Sequence, residues 1–279
     1  MGIAGFFRIT RPANTVVAGL ASSIAYLIAT GTLIPEVILL MAVVALITAA
    51  GNVINDYFDA EIDAVNRPER PIPSGSVSRN TALVYAGVLF FIGILVSGFT
   101  SSLCLGIAVI NTVLLVAYAA RFKSTPFFGN VAVSYLSASI FLFGGALAGW
   151  DALVDILPVA AITFLAMLAR ELLKDAEDID GDRVGGADTL PIRIGVRKTS
   201  ILAFVFTMAA VAASFIPCVW WGPWYLAGII PVDLIIIAAS VKALGPTDPA
   251  GLRATGSTNL LKIGMFASLV VFMLSAVYL

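Results

Sequence analysis

Histidine is absent from this 279-residue chain, and charge is scarce: 12% of residues are charged, against about 25% in an ordinary soluble domain. Without histidine, the commonest general base and the commonest zinc ligand are both missing. Any metal must then be held by oxygen, which points to Mg²⁺ or a similar hard ion. The net charge is −1, which argues against a nucleic-acid partner. Only two cysteines occur. Cys104 and Cys218 both lie in or at the end of apolar segments, and they read as buried thiols rather than a disulfide.

Apolar residues make up 60% of the chain, and the mean hydropathy is +1.02. A soluble core cannot absorb that much apolar surface, so the sequence predicts an integral membrane protein. Its apolar runs are continuous and lack the alternation of an outer-membrane barrel, so the expected fold class is all-α. A span needs about 20 apolar residues. Nine candidates fit: 12–33, 36–57, 79–99, 101–120, 130–149, 153–174, 199–219, 224–244 and 260–279. The first follows Arg11-Pro12 and is long enough to cross, so it reads as a span rather than a cleavable leader.

Threading nine spans back and forth places all sixteen bases on one side. The opposite loops hold Glu36, Asp151 and Asp155 and no base. The positive-inside rule makes the basic side cytoplasmic. The chain also reads as duplicated. Pro71-Ile72-Pro73-Ser74-Gly75 precedes Arg79-Asn80-Thr81, and Pro191-Ile192-Arg193-Ile194-Gly195 precedes Arg197-Lys198-Thr199. Pro12-Ala13-Asn14 opens span one, as Pro126 and Asn130 open span five. This predicts one domain over 1–279: two four-helix halves, 1–125 and 126–245, and a ninth helix over 260–279.

Two acidic clusters stand at matching places, at the cytoplasmic ends of spans two and six. One is Asn55-Asp56-Tyr57-Phe58-Asp59-Ala60-Glu61-Ile62-Asp63; the other is Asp175-Ala176-Glu177-Asp178-Ile179-Asp180-Gly181-Asp182. Carboxylates at a membrane boundary are costly and usually functional. Asn55, Asp59 and Asp63 share the i, i+4, i+8 spacing that puts side chains on one helix face. Asp178 and Asp182 are also i, i+4, with Asp175 a turn earlier. Stacked like charges call for a counter-ion. Such pairs hold Mg²⁺ while leaving positions for water and phosphate. A merely solvated acidic face would not explain why the acids recur in both halves.

Bases stand nearby: Arg67 and Arg70 after the first cluster, Arg121 and Lys123 after span four. As a set they suit a polyanion, although each alone also fits a topology or headgroup role. Lys174 reads equally as a ligand contact or as a neutralising partner of Asp178 four residues on. Asn14 reads as a helix cap or as a buried hydrogen-bonding group. Tyr57 and Tyr118 offer ring faces to a cation. Asp233, inside span eight, is expected to make a local polar contact.

These motifs resemble the UbiA superfamily of intramembrane prenyltransferases. Its Asn-x-x-x-Asp-x-x-x-Asp motif is matched by Asn55, Asp59 and Asp63, and its Asp-x-x-x-Asp motif by Asp178 and Asp182. The family's Arg-Pro-x-Pro-Ser-Gly segment is matched by Arg70 to Gly75. The fuller context resembles the archaeal digeranylgeranylglyceryl phosphate synthases, through residues 66–75, Arg170-Glu171, Lys174-Asp175, Glu177 to Asp182 and Thr189-Leu190-Pro191. One departure is Tyr118-Ala119-Ala120-Arg121-Phe122-Lys123, which leaves open whether Arg121 or Lys123 plays the family lysine's part.

The resemblance implies a multi-pass cell-membrane enzyme with its active site toward the cytoplasm. It implies Mg²⁺-dependent transfer of a geranylgeranyl group from its diphosphate to the free hydroxyl of geranylgeranylglyceryl phosphate. Asp59, Asp63, Asp178 and Asp182 would be catalytic, and Asn55 and Asp175 would join them as metal ligands. Arg67, Arg70, Arg121, Lys123 and Lys174 would bind diphosphate; Asn14, Tyr118 and Arg193 would contact substrate. The expected partners are a prenyl diphosphate, a lipid-like phosphate acceptor and the bilayer, with no obligate protein partner. The same fold acting on an aromatic acceptor is the nearest alternative. An ion-coupled transporter is the alternative of another class, although transport sites lie near mid-membrane. A CDP-alcohol phosphotransferase is a third, but the dense single motif of that family is absent.

Overall fold

The computed structural model describes residues 3–279. Among them nine spans are long and apolar enough to cross a membrane, and no strand occurs. The main helices are α1 (Pro12–Thr30), α2 (Val37–Phe58), α3 (Arg79–Ser97), α4 (Ser102–Ala120), α5 (Phe128–Ala148), α6 (Leu157–Glu177), α7 (Val196–Ala213), α8 (Cys218–Lys242) and α9 (Ser257–Tyr278). Each expected span finds its helix, with shifted ends. The largest shifts, six residues, are at the end of span seven and the start of span eight, while span six changes in form. A short helix, Trp150–Asp155, leads in, and α6 then runs past 174 to Glu177. Asp175 therefore sits on the membrane helix itself.

Local sequence sets the helix ends. Ser78 and Ser101 each cap a helix by accepting the backbone N–H three residues on, Thr81 and Cys104. Pro12 opens α1 at the first helical position, where no N–H is needed. The two proline-containing turns found in the sequence both finish on a left-handed glycine, Gly75 (φ 72°) and Gly195 (φ 82°), just before α3 and α7. α8 begins earlier than the sequence implied. It bends at Gly222, whose φ of 65° breaks the helical path between two apolar stretches.

Apolar residues pack into two cores. One gathers α2, α3 and α4 around Leu40, Val43, Val53 and Phe90. The other gathers α6 to α9 around Leu168, Leu172, Tyr225 and Phe272. α1 and α5 contribute to both: Ala25 and Phe141 to one, Tyr26 and Phe143 to the other. These two helices approach closely at Gly144, where a Cβ would lie 2.5 Å from the backbone carbonyl carbon of Ala25. Small residues at such crossings are how helices pack in lipid. α9 packs against α8, α1 and α6, closing the second core. Large apolar side chains such as Val16, Phe91, Val113 and Phe266 point outward, where hydrocarbon replaces water as the solvent.

Cys104 is fully buried against α5; Cys218 is only half-buried. Asp233 makes the expected local contact, accepting a hydrogen bond from Ser214 at 2.7 Å.

Candidate active site

The first acidic motif straddles a break. α2 ends at Phe58, and a short helix, Ala60–Asn66, follows. Backbone hydrogen bonds from Asp59 to Asn55 and from Asp63 to Asp59 keep the helical path across it. The side chains, however, go to different places. Asn55 donates to Asp59 at 2.9 Å, and Lys123 pairs with the same carboxylate. Asp63 is buried and bound to Arg70 at 2.5 Å. Arg70 lies 3.3 Å from Asp56 as well, and Asp56 accepts from Arg11 at 2.6 Å. Arg11 and Asp56 were not singled out from the sequence. Together these four residues fold the loop after the motif back onto the start of α1.

The second motif sits at the end of α6 and in the short helix Ile179–Val184. Asp175 accepts from Asn130 of α5 at 2.7 Å. Asp182 accepts from Thr189 at 3.3 Å. Asp178 is the outermost of the three, about half exposed, with Arg253 3.9 Å away. Thr258 of α9 donates to Glu177 at 2.9 Å, which ties α9 to this motif. Burial pushes the Asp182 carboxyl above the usual carboxylate range, and the charge of Asp178 adds to this; Thr189 and Lys174 oppose it.

The segment from Lys123 to Asn130 joins the two motifs. Lys123 stands in a single 3₁₀ turn, Phe122–Ser124, and holds Asp59; Asn130, in the first turn of α5, holds Asp175. The backbone N–H of Asp188 also donates to the carbonyl of Ser124 at 3.1 Å. Both acidic motifs therefore meet the same end of α5. Gly129 permits the tight turn, since a Cβ there would lie 2.7 Å from the carbonyl of Phe122. Burial lowers the Lys123 pKa, and the charge of Asp56 opposes that. Of the two candidate bases, Lys123 is at the motif; Arg121 is exposed, with no side-chain partner among the described residues.

Other expected residues fall elsewhere. Arg67 is exposed. Lys174 is exposed too, and its closest acid is Glu171 at 3.9 Å rather than Asp178. The i, i+4 partner expected from sequence goes unused because Asp178 turns outward toward Arg253. Arg193 forms a two-pronged pair with Asp188 on the surface. Asn14 is neither a cap nor buried: Arg11 occupies the cap position, and Asn14 is exposed along a chamber wall. Tyr57 carries Arg79 over its ring at 5.0 Å.

Two chambers open below the motifs. The first, about 420 Å³, lies among α1, α2, α4 and α5, with Asn52, Asn55, Tyr118 and Arg11 in its wall. The second, about 730 Å³, lies among α1 and α5 to α9, with Asn14, Arg170 and Lys262 in its wall. Ala18, Ser137 and Ile140 line both.

A helical fold with nine spans among the described residues, two acidic motifs at one end and chambers between its helices matches a known class. Residues 15–277 match the UbiA prenyltransferase family, and the chain belongs to it. It is a multi-pass membrane prenyltransferase. The chain is similar to the digeranylgeranylglyceryl phosphate synthase of Methanoregula boonei, 72% identical over the whole of both chains. It is also similar to that of Methanoculleus marisnigri, 57% identical over 99% of this chain and all of the relative. A solved structure described as giving insights into digeranylgeranylglyceryl phosphate synthase in membranes superposes with a TM-score of 0.91, at 33% identity and 99% coverage of each chain. A UbiA homolog from Archaeoglobus fulgidus, bound to GPP and Mg²⁺, shares the fold at 15% identity, with a TM-score of 0.64 over 96% of this chain and 99% of that one.

Family membership sets aside the transporter and phosphotransferase readings. The residues also fit a hard metal ion. Every donor is a carboxylate or amide oxygen, and one oxygen each of Asp175 and Asp182 remains beyond the bonds to Asn130 and Thr189. Among the described residues no three acidic side chains gather tightly enough to hold an ion alone. That suits Mg²⁺, which takes one or two carboxylates and completes its shell with water and substrate phosphate.

Proposed function

We propose that this enzyme transfers a geranylgeranyl group from geranylgeranyl diphosphate to the free hydroxyl of geranylgeranylglyceryl phosphate, on the cytoplasmic side of the cell membrane. The observation that carries the reading is the pairing of Lys123 with Asp59 and of Asn130 with Asp175 from one short segment, which ties both motifs to the same end of α5. The names of the relatives support the choice of acceptor, and the Mg²⁺- and GPP-bound homolog supports the metal and the diphosphate.

In this proposal Asn55 and Asp59 hold metal from one side, and Asp175, Asp178 and Asp182 from the other. Asp63 acts one step back, fixing Arg70. Mg²⁺, when bound, offsets negative charge on the diphosphate and on its leaving oxygen. Lys123 adds a fixed positive charge at the same place, in a partly water-excluded setting where it counts for more. Arg67, Arg121 and Lys174, at the rim, draw the polyanion in. Tyr118 lines the chamber beneath and offers its ring face to the allylic cation that departure of diphosphate leaves. The apolar walls exclude water, which would otherwise quench that cation. The acceptor hydroxyl attacks the cationic carbon to form the ether, and its proton passes to the departing diphosphate.

The test is product analysis by mass. Purified protein is given geranylgeranyl diphosphate, Mg²⁺ and either geranylgeranylglyceryl phosphate or an aromatic acceptor. The ether lipid is expected from the first mixture only. A prenylated ring in its place would overturn the choice of acceptor.

A further inference from the structure

The reaction joins two substrates, each carrying a long isoprenoid tail and an anionic head, and the fold holds two apolar chambers. The first chamber reaches Asn55, beside Asp59 and Lys123. It is therefore continuous with the site proposed for the donor diphosphate. The second is the larger, and different polar groups stand in its wall. Arg170 of α6 and Lys262 of α9 both line it, with Asn14 of α1 beside them.

Arg170 is the telling residue. Its Nη1 pairs with Glu171 at 2.5 Å. Its Nε is buried and has no hydrogen-bond partner. A buried N–H left without an acceptor is costly, and a guanidinium fork is shaped for two oxygens of one phosphate. Lys262 is exposed, with no acidic partner among the described residues. Two cations, one with an unused buried donor, thus stand in the wall of a mostly apolar chamber, and the one acid in that wall among the described residues, Asp233, is bound to Ser214.

We infer that the second chamber is the acceptor subsite: Arg170 and Lys262 bind the phosphate of an isoprenoid-tailed lipid whose tail fills the space among α1, α6, α8 and α9. The donor tail then takes the first chamber. The two tails lie side by side across the α1–α5 wall made by Ala18, Ser137 and Ile140, so neither has to cross the other. This assignment rests on the acceptor reading given above. A bilayer phospholipid offers the same head chemistry, and the test separates the two sources.

The experiment is steady-state kinetics on purified protein, varying donor and acceptor in turn, for the wild type, Arg170→Gln, Lys262→Gln and Ala166→Phe. Ala166 lines the second chamber and not the first, so a Phe ring there narrows it while leaving both cations in the sequence. Removing a charge-assisted hydrogen bond predicts an acceptor KM raised roughly ten-fold or more, with the donor KM little changed. Ala166→Phe is expected to raise the acceptor KM too. The dephosphorylated acceptor, geranylgeranylglycerol, is the second probe. Wild type should prefer the phosphate strongly, and Arg170→Gln should lose most of that preference, which a general loss of structure would not do. Equal competition by phosphatidylglycerol would make the chamber a general lipid site and overturn the assignment. So would wild-type acceptor KM values in both charge variants. A wild type that binds the isoprenoid phosphate through Arg170 yet forms no ether would instead contradict the reaction and leave the chamber assignment standing.

Discussion

Asn130 donates a hydrogen bond to Asp175 at 2.7 Å, from the first turn of α5 to the last turn of α6. The bond engages one carboxylate oxygen and leaves the other for the metal proposed above. A neutral amide does this without spending the charge that a metal needs. Outer partners of this kind commonly govern metal affinity as much as the ligands do. We expect Asn130→Leu to raise the Mg²⁺ concentration for half-maximal turnover roughly ten-fold or more, with thermal stability in detergent little changed. Metal titration of initial rates reads the first, and a melting curve the second.

Lys123 pairs with Asp59 in the structure and is proposed to bind diphosphate when the donor arrives. Arg121, two residues earlier, points into the open. Lys123→Gln is expected to lower kcat/KM for the donor by about 100-fold, the scale of a lost charged contact to a transition-state oxyanion. Arg121→Gln should cost less than about three-fold, as an exposed, screened charge does. Kinetics with the donor varied, run at two salt concentrations, would show the difference.

Asp56 is buried between Arg11 and Arg70. Removing one partner from such a cluster leaves charge without compensation, at a cost of about 3 kcal/mol. Asp56→Ala should therefore lower the apparent Tm of the purified protein by several degrees, and Asp63→Ala should do likewise through Arg70. If Asp63→Ala instead lost metal affinity with its Tm unchanged, Asp63 would be a ligand and not a support.

Gly144 lets α1 and α5 meet, and these helices form the wall between the two chambers. A side chain at 144 must push Ala25 away. Gly144→Leu is expected to destabilise by about 3 kcal/mol. Gly181→Ala, where a Cβ meets nothing within 4 Å, is the control and should melt with the wild type.

Much of this was legible from the sequence because membrane helices announce themselves. Nine apolar runs became nine spans, since run length and hydrocarbon thickness are tied. The i, i+4 spacing placed Asn55 and Asp59 together, because backbone hydrogen bonds carry the helical path through the break at Phe58. What stayed hidden depended on the chain returning to itself. Asp63 looked like a third ligand. Only the fold-back of the following loop shows that Arg70 takes it. Lys174 seemed suited to Asp178 by spacing, but Asp178 leaves the helix axis where α6 ends. Arg11, Asp56, Asn130 and Arg170 gave a weaker signal: polar residues at the edge of apolar runs, costly unless satisfied. That cost was the available clue, and it does not name the partner.

The most direct test of the central claim, that both motifs form one site, is donor binding. Isothermal titration of the purified protein with geranylgeranyl thiodiphosphate, a poorly ionising donor analogue, should show one site per chain that requires Mg²⁺. Asp59→Ala and Asp175→Ala, at opposite ends of the Lys123–Asn130 bridge, should each abolish it. Full Mg²⁺-dependent binding in either variant would mean that one motif suffices, and would contradict the account.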